Sequence, residues 1–581
     1  MSNESTIPTP ATPDVCTVAL LVDGTEVSGA LHVLSVSVSR ELNRIPSATI
    51  QIQDGEPAKA TFAVSNTDHF VPGKQIEIQL GYRSQNQTVF KGLIVKQGIK
   101  VRKSGSALNI ECRSDAVKMT SASKSRYFID KKDSDIMEEL LDAHSLPKDV
   151  EATTPALKEV VQYDATDWDF LLCRAEANGQ VVLVGDDKVR VAKPGTEGSS
   201  VLQIAYGSTV LELDAEVDAR WQSAGVKASS WKAADQAIID AEAKEPSTPS
   251  VGNLAASDLA KVLGGDTLDI KHGGALDESQ LQTWADARLS RMRLAKVRGR
   301  ARCQGFAGVM PDKIVEVSGI GERFQGKMYV SAVRHSVSGG NWETDVQFGL
   351  NPELFAQTYD LRPLPAAGLL PTVSGLQVGI VTALENDPAG EDRIKIRLPL
   401  ISANDEGVWA RLATLDAGKE RGTYFRPEIG DEVVVGFLND DPRYPVVLGM
   451  CHSSAKPAPE PAKDDNHHKG YVSREKLKLA FDDEKKIIGL ETPAGNKLAL
   501  SEDAKGITLQ DQNGNKITLD DSGITIESAK DLILKAGKDL NLSGMNTEFS
   551  AQAGFKASGM RNAEVSSSGS LVVRGATVQI N

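Results

Sequence analysis

Towards the C-terminal end of the chain, apolar residues recur in pairs two positions apart: Ile524/Ile526, Leu532/Leu534, Leu540/Leu542, Thr547/Phe549, Phe555/Ala557, Ala563/Val565 and Leu571/Val573. The step from pair to pair is eight residues, with a single seven. A period of two marks a strand with one buried face, and the Ser, Gly, Asn, Lys and Asp between the pairs mark turns. At roughly 3.3 Å per residue one unit has a contour of about 26 Å, too short for one chain to coil round a packed interior. Three chains giving one unit each per layer supply a full coil. The spacing therefore predicts that residues 484–581 form a three-chain intertwined β-helix, or β-prism. Its axis is expected to be lined by Ile524, Ile526, Leu532, Leu534, Leu540, Leu542, Phe549, Phe555, Val565, Leu571 and Val573. The alternative is an eight-residue meander in a monomeric sandwich; against it, no Asn-Gly or Asp-Gly hairpin signal follows Ile524.

Upstream the alternation is that of half-buried antiparallel strands. Leu34, Val36 and Val38 lie opposite Ser35, Ser37 and Ser39, and Ile76, Ile78 and Leu80 opposite Glu77 and Gln79, which predicts a small β-barrel over 14–125 behind a flexible polar tail, 1–13. Residues 126–296 read as a mixed helical insert, with helices over Asp133–Ala143, Asp167–Asn178 and Glu278–Lys296. A second barrel, 297–370, echoes the first: Val71-Pro72-Gly73-Lys74 matches Met310-Pro311-Asp312-Lys313, Phe90-Lys91-Gly92 matches Phe324-Gln325-Gly326, and Ser104-Gly105 matches Ser338-Gly339. If the echo is a duplication, three chains with two barrels each present a near-sixfold face, to which a sixfold ring can bind. Chance likeness of two meanders is the alternative.

Residues 371–452 hold five short strands with sharp Gly and Asp-Pro turns, the size of an OB barrel. A Lys/Pro/Ala/Glu-rich linker, 453–483, follows. The expected fold is thus mainly β: tandem small barrels with helical inserts, an OB barrel and a trimeric β-helix.

Charge and composition narrow the function. The 581 residues carry a formal charge of −14, which argues against general nucleic-acid binding. The basic run Arg288, Arg291, Arg293, Lys296, Arg298, Arg300 and Arg302 is either a solvated helix face and strand edge or a docking surface for an acidic protein. No apolar run approaches the roughly 18 residues of a membrane span, and the N-terminus lacks a secretory signal, so synthesis in the cytosol is expected. Cys16, Cys112, Cys173, Cys303 and Cys451 lack a CxxC pair and read as reduced, buried thiols.

Candidate chemistry is sparse. Asp511, Asn513 and Asn515 have calcium-loop spacing, but Lys516 stands where such a loop needs Gly and Ser522 where it needs Glu, so a β-turn is expected. His452, His467, His468, Asp464 and Asp465 could gather a metal only in a linker with no fixed geometry. No HExxH, P-loop or GxSxG elbow is present. No catalytic residue, metal or cofactor is expected.

The most specific text is Gly430-Asp431-Glu432-Val433-Val434-Val435-Gly436-Phe437, followed by Asp441-Pro442-Arg443-Tyr444-Pro445-Val446-Val447-Leu448-Gly449. In Gly430, Asp431, Glu432, Gly436, Phe437, Asp441, Pro442, Pro445 and Gly449 this block resembles the OB domain of the VgrG family, spike proteins of type VI secretion and of phage-tail-like contractile injection particles. The likeness extends to Tyr163–Phe170 and Glu176-Ala177-Asn178-Gly179 upstream, and downstream to Gly495-Asn496-Lys497-Leu498 and Asn513-Gly514-Asn515-Lys516. The resemblance implies a homotrimer at the centre of a baseplate, capping an inner tube of stacked rings and held by baseplate proteins, with the β-helix as the needle driven through a target envelope. It also implies a conical, PAAR-like tip protein docked at Val578, Ile580 and Asn581, and export of the assembled particle. Because the chain stops with the repeat, any toxin is expected to be a separate cargo chain. A trimeric glycan-binding or glycan-hydrolysing tail spike is the competing function, although the repeat offers only Phe549 and Phe555 as aromatics, both on apolar positions.

Overall fold

The computed structural model describes residues 14–580; the expected tail, 1–13, lies outside the described residues. The chain divides into one unit running up to Leu376 with Gly436–Pro445, and another comprising Gln377–Val435 and the residues from Val446 on.

The first unit is organised by a thirteen-stranded sheet. Its principal strands are β1 (Cys16–Val22), β2 (Val33–Glu41), β3 (Ser47–Gln53), β4 (Gln75–Tyr82), β5 (Gln85–Arg102), β6 (Gly105–Arg113), β7 (Leu202–Ala205), β8 (Val210–Val217), β9 (Val297–Gln304), β10 (Ile314–Ser318), β11 (Gly326–Ser338) and β12 (Asn341–Phe348). The order is β8-β9-β12-β11-β2-β3-β6-β5-β4-β1, ending on Thr25–Glu26, with β10 joining β7 to β11. Alternation fixes which face is buried: Leu20, Val38, Ile50, Ile78 and Leu108 are fully enclosed in one core, and Ile204, Ala301, Val315, Val330 and Val346 in another.

The echo read in the sequence is a repeat of topology. Strands β3-β6-β5-β4 recur as β9-β12-β11-β10, and β2, beside β3, recurs as β8, beside β9. The ladders share their irregularities: a bulge between Ile94 and Lys96 recurs between Val330 and Ala332, and one between Val33 and Ser35 recurs between Val210 and Glu212. Bulges re-aim a strand at one defined residue, so matching bulges make this the same fold twice. The two sets are not separate barrels, however. β11 of the second pairs with β2 of the first from Ala332↔Glu41 to Ser338↔Ser35, which merges them into one sheet. Nor is 126–296 a single insert, because β7 and β8 lie within it and complete the second set.

What remains between the sets is helical and mixed. Helices α1 (Asp133–Asp142) and α2 (Asp167–Ala177) pack through Ile136, Leu140, Leu171 and Leu172 under a ribbon of Ser123–Lys132 and Ala156–Thr166. Helix α3 (Glu278–Leu294) buries Leu281, Ala285 and Leu289, the stripe spacing of an amphipathic helix. Its start is fixed by a reciprocal cap: Asp277 accepts from the Gln280 N–H at 2.8 Å and Gln280 from the Asp277 N–H at 3.0 Å.

Five strands, Gln377–Ala383, Ile394–Arg397, Val408–Leu412, Glu432–Phe437 and Pro445–Met450, close a barrel, filled by Val381, Ile394, Ile396, Ala410, Val433, Val435 and Val447. The stretch expected as a linker holds strands from His468, which open the sheet described next.

Candidate functional site

Seven strands, His468–Val472, Lys478–Asp482, Ile487–Glu491, Lys497–Ser501, Gly506–Gln510, Lys516–Asp520 and Gly523–Glu527, form an antiparallel meander, each paired with the next. The turns carry the residues such turns need: Gly495 and Gly514 sit at φ +94° and +90°. At the Asn513-Gly514 turn the Asp511 carboxylate accepts from the N–H groups of Asn513 and Asn515 at 2.9 and 2.8 Å and from the Asn515 side chain at 2.8 Å. The calcium-like spacing is therefore a turn cap. These hydrogen bonds, the Asn515 side chain's first, hold the Asp511 pKa down to about 2.

Register stacks the apolar residues of successive strands. One column is Leu479, Leu490, Leu498, Leu509, Ile517 and Ile526; the other is Phe481, Ile488, Leu500, Ile507, Leu519 and Ile524. Residues two apart share a face, so both columns lie on one side of the sheet. Between them, on the opposite side, Ala480, Gly489, Ala499, Thr508, Thr518 and Thr525 form a small and polar column. The apolar side lines a trough of 710 Å3 that extends to Leu532. Among the described residues nothing covers it: Leu490 is 47% and Ile526 52% exposed.

The expected axis residues therefore fall into two groups. Ile524 and Ile526 end the columns of the meander, whereas Leu532, Leu534, Leu540, Leu542, Phe549, Phe555, Val565, Leu571 and Val573 follow where, among the described residues, no strand is assigned from Ser528 to Ile580. All are exposed, Leu540 at 57%. Val578 and Ile580 are exposed as well, and Asn581 lies outside the described residues. The sequence reading missed the meander's columns, although the same apolar-x-apolar pairs signal them at 479/481, 488/490 and 498/500. There the steps between pairs are nine, ten, nine, ten and seven residues, and each closes a hairpin, the shortest through the two-residue turn Asp521-Ser522.

In the closed barrel, Gly430 (φ +87°) makes the turn into Glu432–Phe437. Asp431 accepts from Lys456 Nζ at 2.8 Å and the Glu428 N–H at 2.9 Å. Burial pushes the Asp431 carboxyl up, but these bonds outweigh it and hold it below its usual range. Asp441 takes the Arg443 guanidinium, at 2.7 Å from Nη2, and the Arg443 N–H at 2.9 Å, and the Arg443 side chain lowers its pKa. Pro442 lies in the turn that Asp441 opens, and Pro445 and Gly449 lie in the last strand. These motif residues brace turns.

The upstream motif also braces structure. Asp167, fully enclosed, accepts from Lys124, Arg126, Gln162 and His144, the last at 2.8 Å. Burial raises its pKa, yet the hydrogen bonds from Lys124, Gln162 and His144 outweigh this and leave it lowered. Glu176 accepts from Arg291 and, at 2.8 Å, from the Phe355 N–H, fastening the chain that leaves β12 onto α2. The basic run is paired rather than free along β9: Arg298 with Glu216, Arg300 with Asp214, and Arg302 with Asp345. Among the described residues, no group of three or more His, Cys, Asp and Glu is placed to hold a metal ion, and no helix is long and apolar enough to cross a membrane. Cys16, Cys112 and Cys303 are buried; Cys173 is only half-buried and Cys451 is exposed, contrary to the expectation of five buried thiols.

Three family models match the chain. One described as the Alg8 N-terminal domain spans residues 12–339, more than half of the 581 residues. The type VI secretion system/phage-baseplate injector OB domain spans 377–452, and the phage baseplate V C-terminal trimerisation domain spans 487–581. Among curated proteins, the type VI secretion system spike protein VgrG1b of Pseudomonas aeruginosa is 26% identical over 210 residues, 34% of this chain and 28% of that protein. Spike protein VgrG3 of Vibrio cholerae is 32% identical over 100 residues, 15% of this chain and 9% of that one. The matched region thus spans less than a third of the length of either relative. Of solved structures, a tail protein from Neisseria meningitidis overlays with a TM-score of 0.44 at 15% identity, covering 59% of this chain and 99% of that chain. A type VI secretion component of Escherichia coli, described as similar to the T4 bacteriophage tail proteins gp27 and gp5, overlays at 0.38 and 14%, covering 74% and 99%.

Proposed function

The chain belongs to the family described as the Alg8 N-terminal domain; from the injector OB and trimerisation domains matched beside it, we propose that it is the trimeric hub and spike of a contractile, phage-tail-like injection apparatus. The observation that carries this reading is the uncovered apolar face. Six of the seven strands, about 4.8 Å apart, carry two unbroken apolar columns about 24 Å long open to water, and the same pairs continue to Ile580 with no strand partner among the described residues. Patches of that extent on soluble proteins mark interaction surfaces. Burying a half-exposed Leu or Ile stabilises by on the order of 1 kcal/mol. Three copies related by a threefold axis can turn their columns inward and enclose all of them, and the matched trimerisation domain supports that arrangement.

The rest follows from the architecture. In such a trimer the eight-residue repeat winds beyond the meander, and interchain pairing removes the free edges that would fray a shaft under load. The function is then mechanical. The doubled sheet offers the threefold hub a near-sixfold face for an inner-tube ring, baseplate proteins hold it, and the blunt end beyond Val578 and Ile580 receives a conical tip protein. Effector cargo is carried as separate chains, and the protein leaves the cell within the assembled particle. The native mass of the full chain by light scattering tests the reading. Three times the 62.2 kDa chain mass is expected; a single-chain mass overturns it.

A further inference from the structure

Two edges of the large sheet are vacant, and the repeat says what fills them. Strand β8 pairs only with β9, and the distal half of β5, from Val95 to Arg102, pairs only with β6. Their counterparts in the other copy of the fold are not vacant. β2 corresponds to β8 and β11 to β5, and β2 and β11 are bonded to each other within the chain. We infer that the vacant edges bind each other between subunits: the distal half of β5 in one copy pairs antiparallel with β8 of the next, in the register of the β11–β2 ladder. This rests on the multi-copy reading above and gives its hub interface residue by residue.

The register needs no adjustable choice. The hairpins close at Arg102↔Gly105 and Ser338↔Asn341, and the bulges agree, so Arg102, Val101, Lys100 and Ile99 stand where Ser338, Val337, Ser336 and His335 stand. In the same way Leu213 and Ala215, opposite Ala301 and Gly299, stand where Val36 and Val38 stand opposite Ile50 and Ala48. The in-chain pairs Ser338↔Ser35, Val337↔Val36, Ser336↔Ser37 and His335↔Val38 then become Arg102 with Glu212, Val101 with Leu213, Lys100 with Asp214, and Ile99 with Ala215 of the next copy. Three residues further, past Gly98 with Glu216 and Gln97 with Val217, Lys96 meets Asp218.

The side chains agree with a register that topology alone supplied. On one face Arg102, Lys100 and Lys96 fall opposite Glu212, Asp214 and Asp218, with Gly98 opposite Glu216; on the other Val101 and Ile99 fall opposite Leu213 and Ala215, with Gln97 opposite Val217. In the isolated chain the apolar members on β5, Ile99 and Val101, are exposed, whereas their partners Leu213 and Ala215 are half-buried against the second core. The charged pairs extend a row already built, since Glu212 bonds Arg302, which bonds Asp345. At the in-chain junction the corresponding positions are serines, Ser35, Ser37, Ser336 and Ser338. Thus the covalently joined junction is neutral, whereas the junction that must find its partner in solution carries opposite charge, which steers encounter.

The test uses the full chain with Cys451→Ser, so that the exposed native thiol does not interfere. Val101→Cys with Leu213→Cys places two thiols on facing residues, whose Cα spacing of about 4.5–5.5 Å suits a disulfide. Mild oxidation should yield covalent species up to three chains on denaturing gels, and Val101→Cys with Val217→Cys, four residues out of register, should yield none. Native mass is read on the same samples. A trimer that cross-links at neither pair, or better at the shifted pair, overturns this interface and leaves the trimer intact; a monomer overturns both. In parallel, Lys100→Asp, which sets like charges opposite each other, should weaken assembly about tenfold, and adding Asp214→Lys should restore it. Failure of the double swap to restore it counts against the register.

Discussion

The thirteen-stranded sheet, the proposed hub, and the region from His468 on, the proposed spike, are written in the same alternation and differ in who covers the apolar face. In the hub, Ile50 and Ile78 are wholly enclosed by residues of their own chain. In the spike, Leu490 and Leu540 repeat the period and stand about half exposed. The difference lies in what packs on the face. Pairing within the chain does not settle it: the meander's strands all pair with the next, even across the seven-residue step from Ile517/Leu519 to Ile524/Ile526, and their apolar face stays half exposed. Alternation therefore states that a face must be buried, and the packing of the whole decides which chain buries it.

Substitutions that place a charge in each region separate the two kinds of burial. Ile50→Asp puts a carboxylate into a core with no partner, at a cost of several kcal/mol against a total stability of about 5–15 kcal/mol; the hub should fail to fold, read as loss of cooperative thermal unfolding. Leu540→Asp should leave the hub's unfolding unchanged while native mass falls from three chains to one, because three carboxylates would meet at a shared axis. Equal loss of fold in both variants would erase the distinction.

A smaller effect sharpens it through pH. His335 is buried in the hub against Trp342, its Nδ1 3.0 Å from Thr344 Oγ1. Burial, with the nearby Arg40 guanidinium, pushes its pKa down to about 3. The folded value lies below the roughly 6.5 of an unfolded His, so the fold favours the neutral ring. The stability it contributes is whole above about pH 6.5 and is lost as pH falls toward 3, by about 1.4 kcal/mol per unit. Hub stability measured by urea between about pH 6.5 and 4.5, above most carboxylate titrations, should fall with that slope, and His335→Gln should flatten it. Assembly through the apolar columns holds no such group and should not follow the slope. The smallest effect is expected at Lys538→Asp. On the outward phase of the repeat it should change stability within about 0.5 kcal/mol and leave the trimer whole; a loss equal to that of Leu540→Asp would invert the inward and outward faces.

Much was legible in the sequence because it depends on local chemistry. Period-two alternation fixed the strands and their buried faces. Helix positions followed from caps such as Thr166, whose Oγ1 accepts the Asp169 N–H at 3.1 Å, and from the stripe Leu281, Ala285 and Leu289. The duplication was visible in the two Pro-containing turns, Val71–Lys74 and Met310–Lys313, whereas the Ser-Gly likeness is out of register, because Ser338 stands where Arg102 stands and not where Ser104 does. The eight-residue step marked the segment Ser528 to Ile580, to which, among the described residues, no strand is assigned.

Only the tertiary structure could decide which strands meet. Hydrogen bonding between β11 and β2 depends on residues some three hundred positions apart, and nothing in either strand names the other. Hence two expected barrels became one sheet, and β7 and β8, hidden inside a supposed insert, became its second half. What covers the columns of 468–527 was likewise beyond the pattern, because alternation is the same whether its face is sealed by that chain or left for others. Local sequence sets what each strand can do with its neighbours in line; pairing across the sheet is settled by the packing of the whole, where register, bulges and edge vacancy take their meaning.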